Sequence, residues 1–229
     1  MKKSSFVSIF ILCLTVIFTG CSNAKELTHE QIDEVNSAFE QLLPVDKCDN
    51  ASVTAPEVDY TINPICHFFS SYYENVAELD MELFVYYIPR ETYLTENDKE
   101  EIDSLRKSGA QLPFKEIENS PVPFGRIPYT TVDKYLQIYA NMSLEDMKNM
   151  GNVIYSDEYK SFYSYASDFG LGFFNCTGGT IDGNIVILYS DNATLTLNHD
   201  GDNYYIVSHI KNDNEELTKI SATQDAIVE

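Results

Sequence analysis

Ala193-Thr-Leu-Thr-Leu-Asn-His-Asp-Gly-Asp-Asn-Tyr-Tyr-Ile-Val-Ser-His-Ile-Lys211 is the stretch on which the fold turns. Ala193, Leu195 and Leu197 alternate with Thr194 and Thr196, the period of a strand with one face covered and one face wet. Asp200-Gly201 supplies turn chemistry, and the apolar run from Tyr204 to Lys211 supplies the returning strand. Working backwards, the same texture predicts strands over 172–177 and 180–190, with turns at Gly178-Gly179 and Asp191-Asn192. The C-terminal third therefore reads as an antiparallel meander.

The rest of the chain reads as helix. Thr28 followed three residues later by Gln31 is a capping box, and Ile32, Val35, Phe39, Leu42 and Leu43 recur at helical spacing until Pro44. Residues 45–62 read as a loop. Asn63-Pro64 opens a second helix through Ile65, Phe68, Phe69, Tyr72 and Tyr73, since proline suits the first helical position. Residues 79–88 fit helix or strand and stop at Pro89. Thr95 with Asp98 starts a charged helix that Gly109 can cap. The prolines at 113, 121, 123 and 128 predict an extended loop over 110–129. Further helices are expected from Thr130, from Ser143 to Gly151, and across Tyr155, Tyr159, Phe162 and Tyr163. The predicted class is α+β, helices followed by an antiparallel meander. The expected organisation is a leader over 1–20, a tether and first helix over 21–62, a folded body over 63–211, and an acidic end over 212–229 that is expected to fray.

The N-terminus carries the sharpest functional signal. Lys2 and Lys3 precede an apolar run from Phe6 to Phe18. That run fits the roughly 7 to 15 residues of a signal-peptide core and falls short of the roughly 20 that span a bilayer. Phe18-Thr19-Gly20-Cys21 resembles the lipobox of bacterial lipoproteins. The resemblance implies cleavage before Cys21, a diacylglyceryl group on its thiol, and attachment to the extracytoplasmic face of a membrane, where two acyl chains hold stably.

Composition narrows the partners. The formal charge is −21, and the first 20 residues hold two lysines and no acid, so the remainder is more acidic still. Nucleic acid is excluded as a partner, because neutralising phosphates takes basic clusters. Cys48, Cys66 and Cys176 remain after the leader and Cys21; export permits a disulfide, and all three pairings are open. No CxxC pair suggests zinc, and no cofactor is expected. GxSxG and phosphate-loop motifs are absent. His29-Glu30 lacks the second histidine of a zincin. Cys66 and His67 are adjacent, so on a helix they point about 100° apart rather than pairing; Cys176 and His209 could meet across the sheet. His199-Asp-Gly-Asp-Asn203 offers oxygens to calcium without the spacing of an EF-hand and reads better as a hairpin turn. No catalytic or metal-binding residue is assigned.

Two further resemblances touch the body. Helices followed by the hairpin over 195–208 resemble the cone-shaped nuclear transport factor 2-like fold, which implies a concave sheet wrapped by helices. Pro121 to Pro128, and Ser167-Asp-Phe-Gly through Cys176-Thr-Gly-Gly, are similar to lipoproteins of Gram-positive anaerobes, a likeness that implies export and no particular activity. With 16 tyrosines and no tryptophan, the expectation is a non-enzymatic binding domain for a small envelope ligand or peptide. An accessory protein of an envelope complex is the alternative, ahead of an enzyme.

Overall fold

A computed structural model describes residues 24–44, 60–112, 114–165 and 172–212. The meander is present: β8 (Gly178–Asp182), β9 (Ile185–Tyr189), β10 (Ala193–Asp200) and β11 (Asn203–Lys211) run antiparallel, and β1 (Lys25–Glu26) adds to the free edge of β8. The hairpins β8–β9 and β10–β11 turn at Gly183 and Gly201. Their φ angles of 58° and 65° are those of the first central residue of tight hairpin turns, which favour glycine. Val186, Leu188, Ala193, Leu195, Leu197, Tyr204 and Ile206 form the covered face, and the residues between them face outward. The predicted strand over 180–190 is thus two strands. Gly178-Gly179 lies inside β8, where a Cβ on Gly179 would meet the Ile187 carbonyl oxygen at 2.5 Å.

A second sheet orders β4 (Thr92–Tyr93), β5 (Phe124–Pro128), β7 (Ser161–Tyr165) and β6 (Ile154–Ser156), all antiparallel. Two expectations fail here. The proline-rich loop contains β5, because Pro121 and Pro123 precede the strand and Pro128 ends it, leaving Phe124–Ile127 free to pair. Tyr155, Phe162 and Tyr163, expected on a helix, form the β6–β7 hairpin. Phe162 packs into the main core, and its neighbour Tyr163 packs into a second core on the opposite face with Leu94, Ile102, Leu105, Phe114 and Phe124. A strand buried on both faces loses the alternation that would betray it.

Helix α1 (His29–Ala38) begins with the predicted Thr28–Gln31 capping box but stops before Phe39. Leu42 and Leu43 fall in β2 (Leu42–Pro44), paired with β3 (Tyr60–Ile62). The buried Asn63 side chain ends the helix, donating to the Ala38 and Glu40 carbonyls at 3.0 and 2.8 Å. From there Pro64–Phe69 makes a 3₁₀ turn rather than the expected longer helix, and Ser143 opens only a 3₁₀ turn, Leu144–Asp146. Residues 79–88 resolve to α2 (Met81–Tyr86), capped by Asp80. The charged helix α3 (Lys99–Lys107) ends as expected at Gly109: Gly109 N–H donates to Arg106, and Ala110 N–H to Leu105. Helix α4 (Tyr129–Ala140) follows β5 directly and packs between β5 and β11. The main core, holding Phe68, Phe84, Leu136, Phe162 and Leu188, fills the space between the two sheets and these helices, and Val35 and Phe39 of α1 belong to it. The architecture is α+β, with few helices and mostly antiparallel sheet.

A candidate ligand cleft around His209

β11 carries one irregularity that shapes a site. Leu197 pairs with Ile206 but Thr196 pairs with Ser208, so Val207 is an extra residue in a β-bulge. Without it the covered face would run Tyr204, Ile206, Ser208 and His209 would face solvent; the bulge shifts the phase and sets His209 opposite Leu195 on the covered side. His209 is 3% exposed. Its backbone exchanges two hydrogen bonds with Tyr73, at 2.7 and 2.9 Å. Its ring Nδ1 lies 2.7 Å from the Ser71 carbonyl. A carbonyl only accepts, so Nδ1 carries the proton and Nε2 is left as an acceptor. Burial lowers the His209 pKa and so favours the neutral ring, while the Ser71 hydrogen bond partly counters the shift.

Tyr72 stacks on this imidazole at 4.9 Å and 29° while staying 51% exposed. The opposite wall is the segment 172–176. That segment was expected to be a strand; instead its Cys176 backbone is held by the Asn36 amide, which accepts from Cys176 N–H at 2.7 Å and donates to Cys176 O at 3.0 Å. Gly172 lies so close to Phe69 that a Cβ would sit 2.1 Å from the Phe69 carbonyl oxygen, so the approach needs glycine. Beyond it Phe174 turns inward onto Phe69 and His209, and Phe173 turns outward, 67% exposed.

The rim is the β9–β10 turn. Ser190 Oγ accepts from Ala193 N–H at 3.0 Å. Asn212 clamps the same turn, donating its backbone N–H to Asn192 O and its side-chain amide to Ser190 O, both at 2.9 Å. These three segments enclose a cavity of about 560 Å³ that His209, Phe69, Tyr72, Phe173 and Asp191 help to line. Its size suits a small organic molecule.

The residues singled out from sequence are mostly used elsewhere. Cys66 and Cys176 are buried thiols not joined to each other. Cys66 Sγ–H points at the Phe39 carbonyl, 3.7 Å away, and burial pushes its pKa up to about 12. Cys176 Sγ–H donates to Gly178 O at 3.2 Å, and burial raises its pKa too. Neither is poised as a nucleophile. Cys176 engages Asn36 and Gly178, and His209 engages Ser71, so the two do not form a pair. His67 is fully buried against Tyr135 and Phe84, away from the cleft lining. The stretch 199–203 is the β10–β11 hairpin, with His199 stacked on Tyr204 at 4.4 Å. Among the described residues no group of His, Cys, Asp or Glu could hold a metal ion, and no helix is long and apolar enough to cross a membrane. Cys21, Cys48 and the leader lie outside the described residues. No protein-family model, no curated protein and no solved structure matches the chain.

Proposed function

We propose that the chain is an exported lipoprotein, held at the extracytoplasmic face of a membrane by lipid on Cys21, whose folded domain binds a small envelope ligand or peptide without transforming it. The observation that supports binding is the cleft itself: exposed aromatic faces at Tyr72 and Phe173 beside the buried acceptor His209. The lining mixes these aromatic rings with the polar Asn175, Asp191, Asn192 and His209, a concave combination of stacking surface and orienting polar groups that suits a polar ligand. The support for anchoring is the leader and the Phe18-Thr19-Gly20-Cys21 sequence. The cone-shaped nuclear transport factor 2-like reading belongs to this proposal. The meander with α4 against β11 favours it, and the separate four-stranded sheet is an addition it does not explain.

One observation favours an accessory role beside an envelope complex. Ile185, Tyr189, Val207 and Ile210 are exposed on the uncovered side of the meander, flanking the polar Thr194, Thr196 and Asn198 of β10, a mixed face that a protein partner could cover.

Anchoring is tested by Cys21→Ser in the expressing cell. The wild-type chain is expected in the detergent phase of a Triton X-114 partition and labelled by palmitate. The variant is expected unlabelled, whatever its partition, because an uncleaved apolar leader also draws the chain into detergent. Equal palmitate labelling of the two would overturn the anchor.

A further inference from the structure

The charge of the cleft is lopsided. Asp191, exposed on the clamped turn, lines the cavity, and among the described residues no lysine or arginine does. Asp191 has no ion-pair partner among the described residues. Among the described residues the lining also includes the polar Asn175, Asn192 and His209 and the aromatic Tyr72, Tyr87 and Phe173. An aromatic face attracts a cation through its quadrupole, most strongly where water is partly excluded. A carboxylate adds Coulomb attraction, and an acceptor such as the His209 Nε2 can take an N–H. A chain of formal charge −21 also draws cations towards its surface and repels anions.

We propose that the ligand of this cleft is an organic cation, an alkylammonium group seated against the Tyr72 and Phe173 rings with its charge matched by Asp191. This rests on the reading of the cleft as a binding site. The ammonium can belong to a free small amine or to a lysine side chain of a peptide, and the two differ in what else touches the protein.

The test is calorimetric titration of the full chain, in detergent micelles, with choline, with a lysine-bearing tripeptide, and with 3,3-dimethylbutanol, the uncharged carbon isostere of choline. Saturable binding of choline or the tripeptide is expected, at least about tenfold tighter than the isostere and weaker as salt rises. Tyr72→Ala and Asp191→Asn are each expected to raise Kd about three- to tenfold. The stronger of the two cations identifies the source of the ammonium. Isostere binding equal to choline, lost in Tyr72→Ala and indifferent to Asp191→Asn, would overturn the cationic ligand and leave the cleft a binding site. Absence of saturable binding by all three probes, with the chain folded by circular dichroism, would overturn the cationic ligand; whether the cleft binds at all is then decided by the library screen that closes the Discussion.

Discussion

Replacing Glu101 with alanine is expected to lower the free energy of unfolding by about 3 kcal/mol, the low end of the cost of breaking a buried ion pair. Glu101 sits in the second core with its side chain 5% exposed. It accepts two hydrogen bonds from Arg126, one from Nε at 3.0 Å and a short one from the terminal nitrogen, and a further short one from the Tyr163 hydroxyl. Burial, and then the hydrogen bond to Glu101 and its charge, push the Tyr163 phenol well above its ordinary pKa, so it remains a donor. Alanine removes the acceptor shared by a guanidinium and a phenol. The low end applies because the Arg126 side chain is 30% exposed and can turn part of its charge to water. Urea unfolding of the variant measures the loss. The triple replacement Glu101→Leu, Arg126→Met, Tyr163→Phe should recover most of it, since an apolar set of similar volume leaves no group unpaired. A loss under about 1 kcal/mol for Glu101→Ala would mean that the network contributes little.

The second large effect depends on pH. His67 is fully buried, stacked on Tyr135 at 5.9 Å and edge-on to Phe84, and neither ring nitrogen has a hydrogen-bond partner among the described residues. Burial lowers its pKa from 6.5 to about 4. Between those two values the unfolded chain binds the proton and the folded chain does not. Stability therefore falls as pH falls, by about 1.4 kcal/mol per pH unit, and about 3 kcal/mol is gone by pH 4. Above pH 7 both states are neutral and the effect vanishes. His67→Phe keeps a flat ring of similar size and removes both unpaired nitrogens, so it is expected to be neutral or slightly stabilising at pH 7. At pH 4 it should be about 3 kcal/mol more stable than wild type. His209 also resists protonation when folded, but it is present in both proteins and cancels. A stability difference that stays flat from pH 7 to pH 4 would contradict a buried neutral His67.

What was legible in the sequence was local. The Thr28–Gln31 box, the Gly109 cap and the strand alternation of 193–197 each involve side chains and backbone a few residues apart, so spacing alone reveals them, whereas residues 79–88 fit helix or strand equally until the structure resolves them as helix. The 154–165 hairpin was hidden because Phe162 and Tyr163 are both buried, on opposite faces, and adjacent buried aromatics mimic a helical stripe. The shortened α1 depends on Asn63, which is 25 residues from the carbonyl it caps at Ala38. The cleft was less legible still. Its walls come from 69–72, 172–175 and 190–193, and its floor exists only because a bulge at Val207 turns His209 inward. Gly172 beside two phenylalanines, and the pair Tyr72-Tyr73, are the local signals in the sequence, and neither has a period.

Ligand-observed saturation-transfer NMR decides whether the His209 cleft binds a small molecule. A chemically diverse fragment library, including amines, sugars, peptidoglycan fragments and peptides, is screened against the wild-type chain and Tyr72→Ala in parallel. Tyr72 is half-exposed, so its loss should leave the fold intact while removing one wall of the site. The expected result is a chemically coherent set of binders whose signals collapse in Tyr72→Ala. Binders that contact both proteins equally, or no binders to a folded wild-type chain, would contradict it and shift attention to the open face of the meander.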